Sequence, residues 1–159
     1  MNTFRKYPLL YSPLHTIEGD SNYIPLNGHF INGFIAGDGC LALSLKDKNF
    51  GRMSLQITQH INNKLLLVSI ANYFKSLSKV YPHGPKSLQL TLSGIKVWEN
   101  VIFNHFCLYP LYGSKKLRLD KLFTIRKLIL NNEHLMRVGK YRQWKPDIKL
   151  RIKGIWKDD

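Results

Sequence analysis

Residues 30–39 read FINGFIAGDG, an apolar stretch in which Gly33 and Gly37 stand four apart and Asp38 is the only acid. Phe30/Phe34, Ile31/Ile35 and Gly33/Gly37 make three i,i+4 rows, the spacing of a helix, with Asn27 placed to cap its start and Gly39 to end it. Two glycines inside a short helix cost roughly 1 kcal/mol each relative to alanine. Their shared face therefore needs a compensating reason, and close approach of a second helix supplies one. Asp38 closes an otherwise apolar segment, where an isolated carboxylate is costly to bury unless it meets a cation. Asp-Gly after a helix is also a common turn signal, so the acid alone does not decide the matter.

Outward from this segment the period changes from helical to two. Leu41, Leu43 and Leu45, then Met53, Leu55 and Ile57, then Val80, then Leu88, Leu90 and Leu92 share one parity. The other carries Ser44, Lys46, Lys48, Arg52, Ser54, Gln56, Thr58, Lys79, Tyr81, His83, Ser87, Gln89 and Thr91. This alternation predicts a four-stranded antiparallel sheet of two hairpins, with one apolar face and one polar, basic face. A helix is expected after each hairpin. Leu66, Ile70, Phe74 and Leu77 form a stripe behind Asn62, and Trp98, Val101, Ile102 and Phe106 another behind Ser93. A third helix, with Leu122, Ile125 and Ile129, begins after Ser114. The result is an α+β domain of order α-β-β-α-β-β-α, its helices on one face of the sheet.

Residues 1–26, with Pro8, Pro13 and Pro25, read as an arm, residues 27–136 as the core domain, and residues 137–159 as a basic segment packed on or flanking it. Residues 137–157 hold eight Lys or Arg and one acid, Asp147, which suits either a solvated helix face or phosphate contact. The 159 residues are enough for one well-buried domain. With 24 Lys and Arg against 10 Asp and Glu, the net charge of +14 favours a polyanionic partner, nucleic acid first. No apolar run approaches the roughly 20 residues that span a bilayer, so no membrane role is expected. Cys40 and Cys107 lack metal or disulfide spacing and read as buried free thiols. The histidines, His60, His83 and His105 among them, lack zinc-site spacing.

FINGFIAGDGC followed by a hairpin resembles the LAGLIDADG motif of homing endonucleases, keeping the glycine at the third motif position and the terminal Asp-Gly. It departs where an acid is frequent and Ala36 stands, leaving Asp38 without a substitute. SLQITQH, residues 54–60, resembles the end of the second strand in that family, and YPLYGSKKL, residues 109–117, its loop before the last helix. The resemblance implies catalysis by Asp38, Gln59 and Lys115, with Lys116 the alternative to Lys115. It also implies Mg²⁺, with Mn²⁺ as substitute, held by Asp38 and the Gly37 carbonyl. Cutting both strands with one motif implies a C2 homodimer packed through Phe30, Gly33, Phe34 and Gly37. The polar sheet residues named above would then contact double-stranded DNA in the major groove of a long, near-palindromic target. The alternative is an inactive or bifunctional relative, an intron maturase that binds DNA or RNA, although RNA binding is not the expectation. Family habit implies an organelle, mitochondrion or chloroplast; no targeting signal is readable.

Overall fold

A computed structural model of the chain describes residues 26–45, 52–75, 80–130, 135–138 and 141–157. The expected arm before residue 26 and the expected DNA contacts Lys46, Lys48 and Lys79 lie outside the described residues.

The first helix, α1, runs Gly28–Asp38, and the Asn27 side chain accepts from the Phe30 N–H at 2.8 Å, as an N-cap should. Strands β1 (Gly39–Ser44) and β2 (Arg52–His60) follow directly. A 3₁₀ turn (Ile61–Asn63) leads into α2 (Lys64–Tyr73), then β3 (Val80–Gly84) and β4 (Ser87–Ser93). The sheet order is β1-β2-β4-β3, every pair antiparallel, with Cys40 opposite Gln56 and Gln56 opposite Thr91. The expected parity holds. Leu41, Met53, Leu55, Ile57, Leu88, Leu90 and Leu92 are all buried, because each extends from the face that the helices cover.

Helix α2 buries Leu67, Ile70 and Ala71, with Phe74 at its end; Leu66, expected on the buried stripe, is only partly buried. After β4 the chain turns at Gly94, whose φ of 102° is a left-handed conformation that suits glycine. Gly94, rather than the expected Ser93, thus precedes the helical stretch. That stretch passes from α3 (Ile95–Val97) through a π-helical turn (Trp98–Ile102) into α4 (Phe103–Leu108). The π turn seats Trp98 fully inside the core, its Nε1 donating to the Leu92 carbonyl at 3.2 Å. The long helix α5 (Ser114–Leu130) adds Leu119, Leu122, Ile125 and Ile129 to the same core. Arg126 on α5 pairs with Glu99 and lies 4.9 Å from the Phe103 ring centre, tying α5 to the π turn.

The C-terminal part is more ordered than its charge suggests. A hairpin of β5 (Leu135–Val138) and β6 (Tyr141–Trp144) precedes α6 (Pro146–Lys157). Ile152 of α6 is fully buried, Ile148, Ile155 and Trp156 pack beside it, and the Arg118 guanidinium stands 5.8 Å from the Trp156 ring centre. Arg151, Lys153 and Lys157 remain exposed. The exposed basic residues of α6 thus lie on the solvent side of a helix anchored to the core. No described helix is long and apolar enough to cross a membrane.

Candidate active site and nucleic-acid face

Helix α1 ends where β1 begins, and this junction gathers the expected catalytic side chains. Gly39 donates its backbone N–H to the Ile35 carbonyl, and a Cβ on it would fall 2.7 Å from that same oxygen. Only glycine lets the chain leave the helix so tightly. Its conformation is extended, so the requirement is one of space and not of φ.

At this end Asp38 is exposed, so within the single chain its carboxylate escapes the cost of burial. Gln59 Nε2, from the last turn of β2, donates to Asp38 Oδ2 at 2.6 Å. Asn63 Nδ2, one helical turn further, donates to Gln59 Oε1 at 3.0 Å. That second bond sets which end of the Gln59 amide faces the acid, since an amide oxygen could not donate to it.

Lys115, in the first turn of α5, places its Nζ 3.0 Å from the Ile35 carbonyl, 2.7 Å from that of Ala36 and 2.7 Å from that of Gly37. The last turn of α1 carries no basic residue of its own, and its unpaired carbonyls form the negative end of the helix dipole. An ammonium donating three protons satisfies that end. Lys116, the alternative, turns to Asp120 at 2.5 Å on the surface. The Gly37 carbonyl is therefore engaged by Lys115, with one lone pair left for another partner.

Gly33 and Gly37 are exposed, and a Cβ built on either meets nothing within 4 Å. Phe30, 46% exposed, stacks on Phe34 with ring centres 6.1 Å apart. Among the described residues nothing packs against the glycines closely enough to need their smallness.

The opposite side of α1 is held by a buried polar node absent from the sequence reading. Asn32 donates through Nδ2 to the Tyr109 carbonyl, and its Oδ1 lies 2.9 Å from His105 Nε2. With the amide so placed, His105 must donate from Nε2 and accept at Nδ1, where the Tyr73 hydroxyl stands at 3.2 Å. Rings of Phe74, Phe106 and Tyr109 surround the imidazole, and burial lowers its pKa to about 3. A Cβ on Gly28 would meet the Tyr109 ring at 2.1 Å, so this glycine too is required by close approach. Tyr109 opens the segment leading to Lys115, and the node thereby sets that lysine against α1. An Asn at the third position of FINGFIAGDG was the one available signal in the sequence.

On the open sheet face, Tyr81, Gln89, Thr91 and Thr58 form a hydrogen-bonded cluster, and Arg52, Tyr81 and His83 are exposed. Ser44, Gln56 and Ser87 are half-buried on this face. Ser54 is a correction: it is buried between Ala42 and Ser93, and its Oγ accepts from Gln56 Nε2 at 3.4 Å. It braces Gln56 instead of facing solvent. Cys40 and Cys107, expected to be buried, are both exposed. Parity explains Cys40, which precedes the inward Leu41 and so points to the polar face.

Among the described residues no three His, Cys, Asp or Glu side chains cluster for a metal. Exposed Asp38 and the Gly37 carbonyl are oxygen donors of the kind a hard divalent cation takes, two ligands where such an ion needs several. A second copy meeting at α1 would double that donor set.

A helix of three i,i+4 rows ending in an acid, followed by a twice-repeated hairpin and helix with one sheet face open, defines a homing-endonuclease type of α+β protein. The chain belongs to the LAGLIDADG endonuclease family, whose model matches residues 31–125. An uncharacterized 50.9 kDa protein in ND4 intron 1 of Podospora anserina is 32% identical over 118 residues, 69% of this chain and 26% of that protein. The LAGLIDADG meganuclease I-AabMI, solved bound to uncleaved DNA, is 31% identical with a TM-score of 0.62 over 69% of this chain and 39% of its own. The homing endonuclease I-LtrWI, solved bound to target DNA, is 25% identical with a TM-score of 0.69 over 96% of this chain and 49% of its own. At 17% identity, the homing endonuclease I-TnaI shares the fold, with a TM-score of 0.70 over 82% of this chain and 86% of its own. This chain thus spans about a quarter of the curated relative's length.

Proposed function

We propose that this chain is a site-specific DNA endonuclease that hydrolyses phosphodiester bonds in a long, near-palindromic duplex, working as a homodimer with Mg²⁺. The observation that carries this reading is the convergence of Asp38, Gln59 and Lys115 at one helix end, the latter two from positions 21 and 77 residues beyond the acid in sequence. The acid, the amide and the ammonium stand together on an exposed corner that a phosphate can reach.

Asp38 and the Gly37 carbonyl from each copy would hold the divalent ion, which when bound supplies charge stabilisation at phosphate oxygens and lowers the pKa of bound water. Mn²⁺ offers the same oxygen-seeking chemistry. Gln59, anchored by Asn63, presents its amide toward the acid, leaving one N–H to orient a water molecule near the scissile phosphate. Lys115 brings a positive charge where the phosphoryl oxygens and the departing oxygen gain negative charge.

The exposed Gly33/Gly37 face, flanked by Phe30 and Phe34, supports C2 pairing through α1. The open sheet face, with Arg52, Gln56, Thr58, Tyr81, His83 and Gln89 described and Lys46, Lys48 and Lys79 beyond the described residues, would lie in the major groove, and the net charge of +14 supplies the attraction to phosphates. The relative's place in ND4 intron 1 supports an organellar origin for this chain. That location and the basic face of α6 favour a second reading as an intron splicing cofactor, which assisted splicing of the host intron by purified protein would single out.

The test is cleavage of a supercoiled plasmid carrying the selected target, with Mg²⁺, by wild type and by Asp38→Asn. The proposal expects wild type to convert the supercoiled plasmid to one full-length linear product and expects no cutting by the variant, whose DNA affinity is retained. Equal cutting by both would sink the site assignment.

A further inference from the structure

Four polar side chains close on one another on the open sheet face, in the rows nearest Asp38. Tyr81 on the edge strand β3 is opposite Gln89 on β4, which is opposite Thr58 on β2. The Tyr81 hydroxyl donates to Gln89 Oε1 at 2.7 Å and lies 2.6 Å from Thr91 Oγ1. Gln89 Nε2 donates to Thr58 Oγ1 at 3.1 Å. A phenol has one proton; with that proton on Gln89, the phenol oxygen accepts from Thr91. Both ends of the Gln89 amide are therefore gripped from opposite sides before any ligand arrives. One carbonyl lone pair and one amide proton of the half-buried side chain remain uncommitted.

In the major groove adenine presents the matching pair, an N7 acceptor beside an N6 amino donor. Guanine presents two acceptors, so its O6 would oppose the amide oxygen, while cytosine and thymine each offer a single polar group. A mobile glutamine can rotate to meet several of these patterns. One held by Tyr81 and Thr58 cannot, and the entropy of fixing its side chain has been lost on folding and not on binding.

Resting on the reading of the sheet as a major-groove surface, we propose that Gln89 reads one adenine in each half-site, with Tyr81 and Thr58 as positioning residues that set its amide. Thr58 directly precedes Gln59, which bonds Asp38, so the adenine lies toward the scissile phosphates and not at the outer end of the half-site.

The test is selection of bound duplexes from a randomised library by the full chain and by its Gln89→Leu, Tyr81→Phe and Thr58→Val variants. Wild type should enrich adenine at one inner position per half-site, by roughly 5- to 150-fold over the other bases, the range of a good bidentate contact. Gln89→Leu should abolish that preference at that position alone. Tyr81→Phe keeps the ring of an exposed edge residue, and it and Thr58→Val should each weaken the preference several-fold while other positions keep theirs. Equal adenine enrichment by wild type and Gln89→Leu would overturn the inference and leave the sheet's DNA reading standing. Unchanged profiles in both Tyr81→Phe and Thr58→Val would overturn the positioning role. Failure to select any duplex would overturn both the inference and the reading on which it rests.

Discussion

Helix α1 carries two polar clusters of opposite character. Toward the interior, Asn32, His105, Tyr73 and the Tyr109 carbonyl form a buried, uncharged node in which each donor has its acceptor. At its C-terminal end, Asp38, Gln59 and Lys115 form an exposed cluster with a carboxylate and an ammonium. The inner node has no surplus hydrogen-bonding capacity directed at solvent, whereas the outer cluster retains carboxylate oxygens, an amide proton and ready access for a phosphate. Burial suits a neutral, satisfied network because an unpaired group there is costly; exposure suits charges that must meet a ligand. The first positions the helix, and the proposed chemistry belongs to the second.

The contrast can be broken by substitutions, the most severe being Asp38→Asn. It should abolish plasmid cleavage while leaving the thermal midpoint and DNA affinity close to wild type; a cooperative loss of fold would show that the outer cluster is structural after all. Asn32→Leu should do the reverse. It strands the Tyr109 carbonyl and His105 Nε2 in the interior and should lower stability by roughly 3 kcal/mol in urea unfolding, the cost of two unmet buried groups. Lys115→Met should reduce the cleavage rate by about 10²-fold, the scale of losing one preorganised charge on a transition state, with DNA binding nearly retained.

The inner node also answers to pH. His105 is held at about 3 in the folded chain against 6.5 when free, so between those values the unfolded chain binds the extra proton. The stability contributed by its neutral burial is complete above pH 6.5 and falls as pH drops toward 3. At pH 5 about 2 kcal/mol should be gone from this residue alone. Urea midpoints at pH 7.5 and pH 5 measure the fall, and His105→Gln should flatten it; an equal slope in that variant would place the effect elsewhere. The smallest effect is expected from Asn63→Ala. Freed from its anchor, Gln59 should lose a few-fold in cleavage rate, the worth of one hydrogen bond, without a change in DNA affinity.

Much of this architecture is readable in the chain because it is periodic. The rows of FINGFIAGDG define α1, and the alternation of Leu41 to Leu92 defines a sheet with a buried and an open face, as the register bears out. Cys40 was misjudged from its apolar neighbours, although the same alternation points it outward; Cys107 likewise lies on the outer side of α4, beside the buried Phe106. The β5–β6 hairpin escaped notice because its strands are four residues each, too short for alternation to register among charged residues. The run of lysines and arginines allows a helix at α6, but it obscures the inward Ile148, Ile152 and Ile155 that anchor it.

What the sequence by itself determined is local: where the helices and strands form, which side of each is apolar, and that Asp38 ends the first helix. Family resemblance nominated Gln59 and Lys115, but no spacing within the chain brings them to Asp38. Only the tertiary structure decided that Gln59 bonds the acid, that Lys115 rather than Lys116 caps α1, and that His105 locks to Asn32 across 73 residues of chain. The physical reason is that periodicity records how a residue relates to its own element, whereas these contacts depend on how separate elements pack around one core. Packing is set by the summed shape of many side chains, and no short motif carries that information.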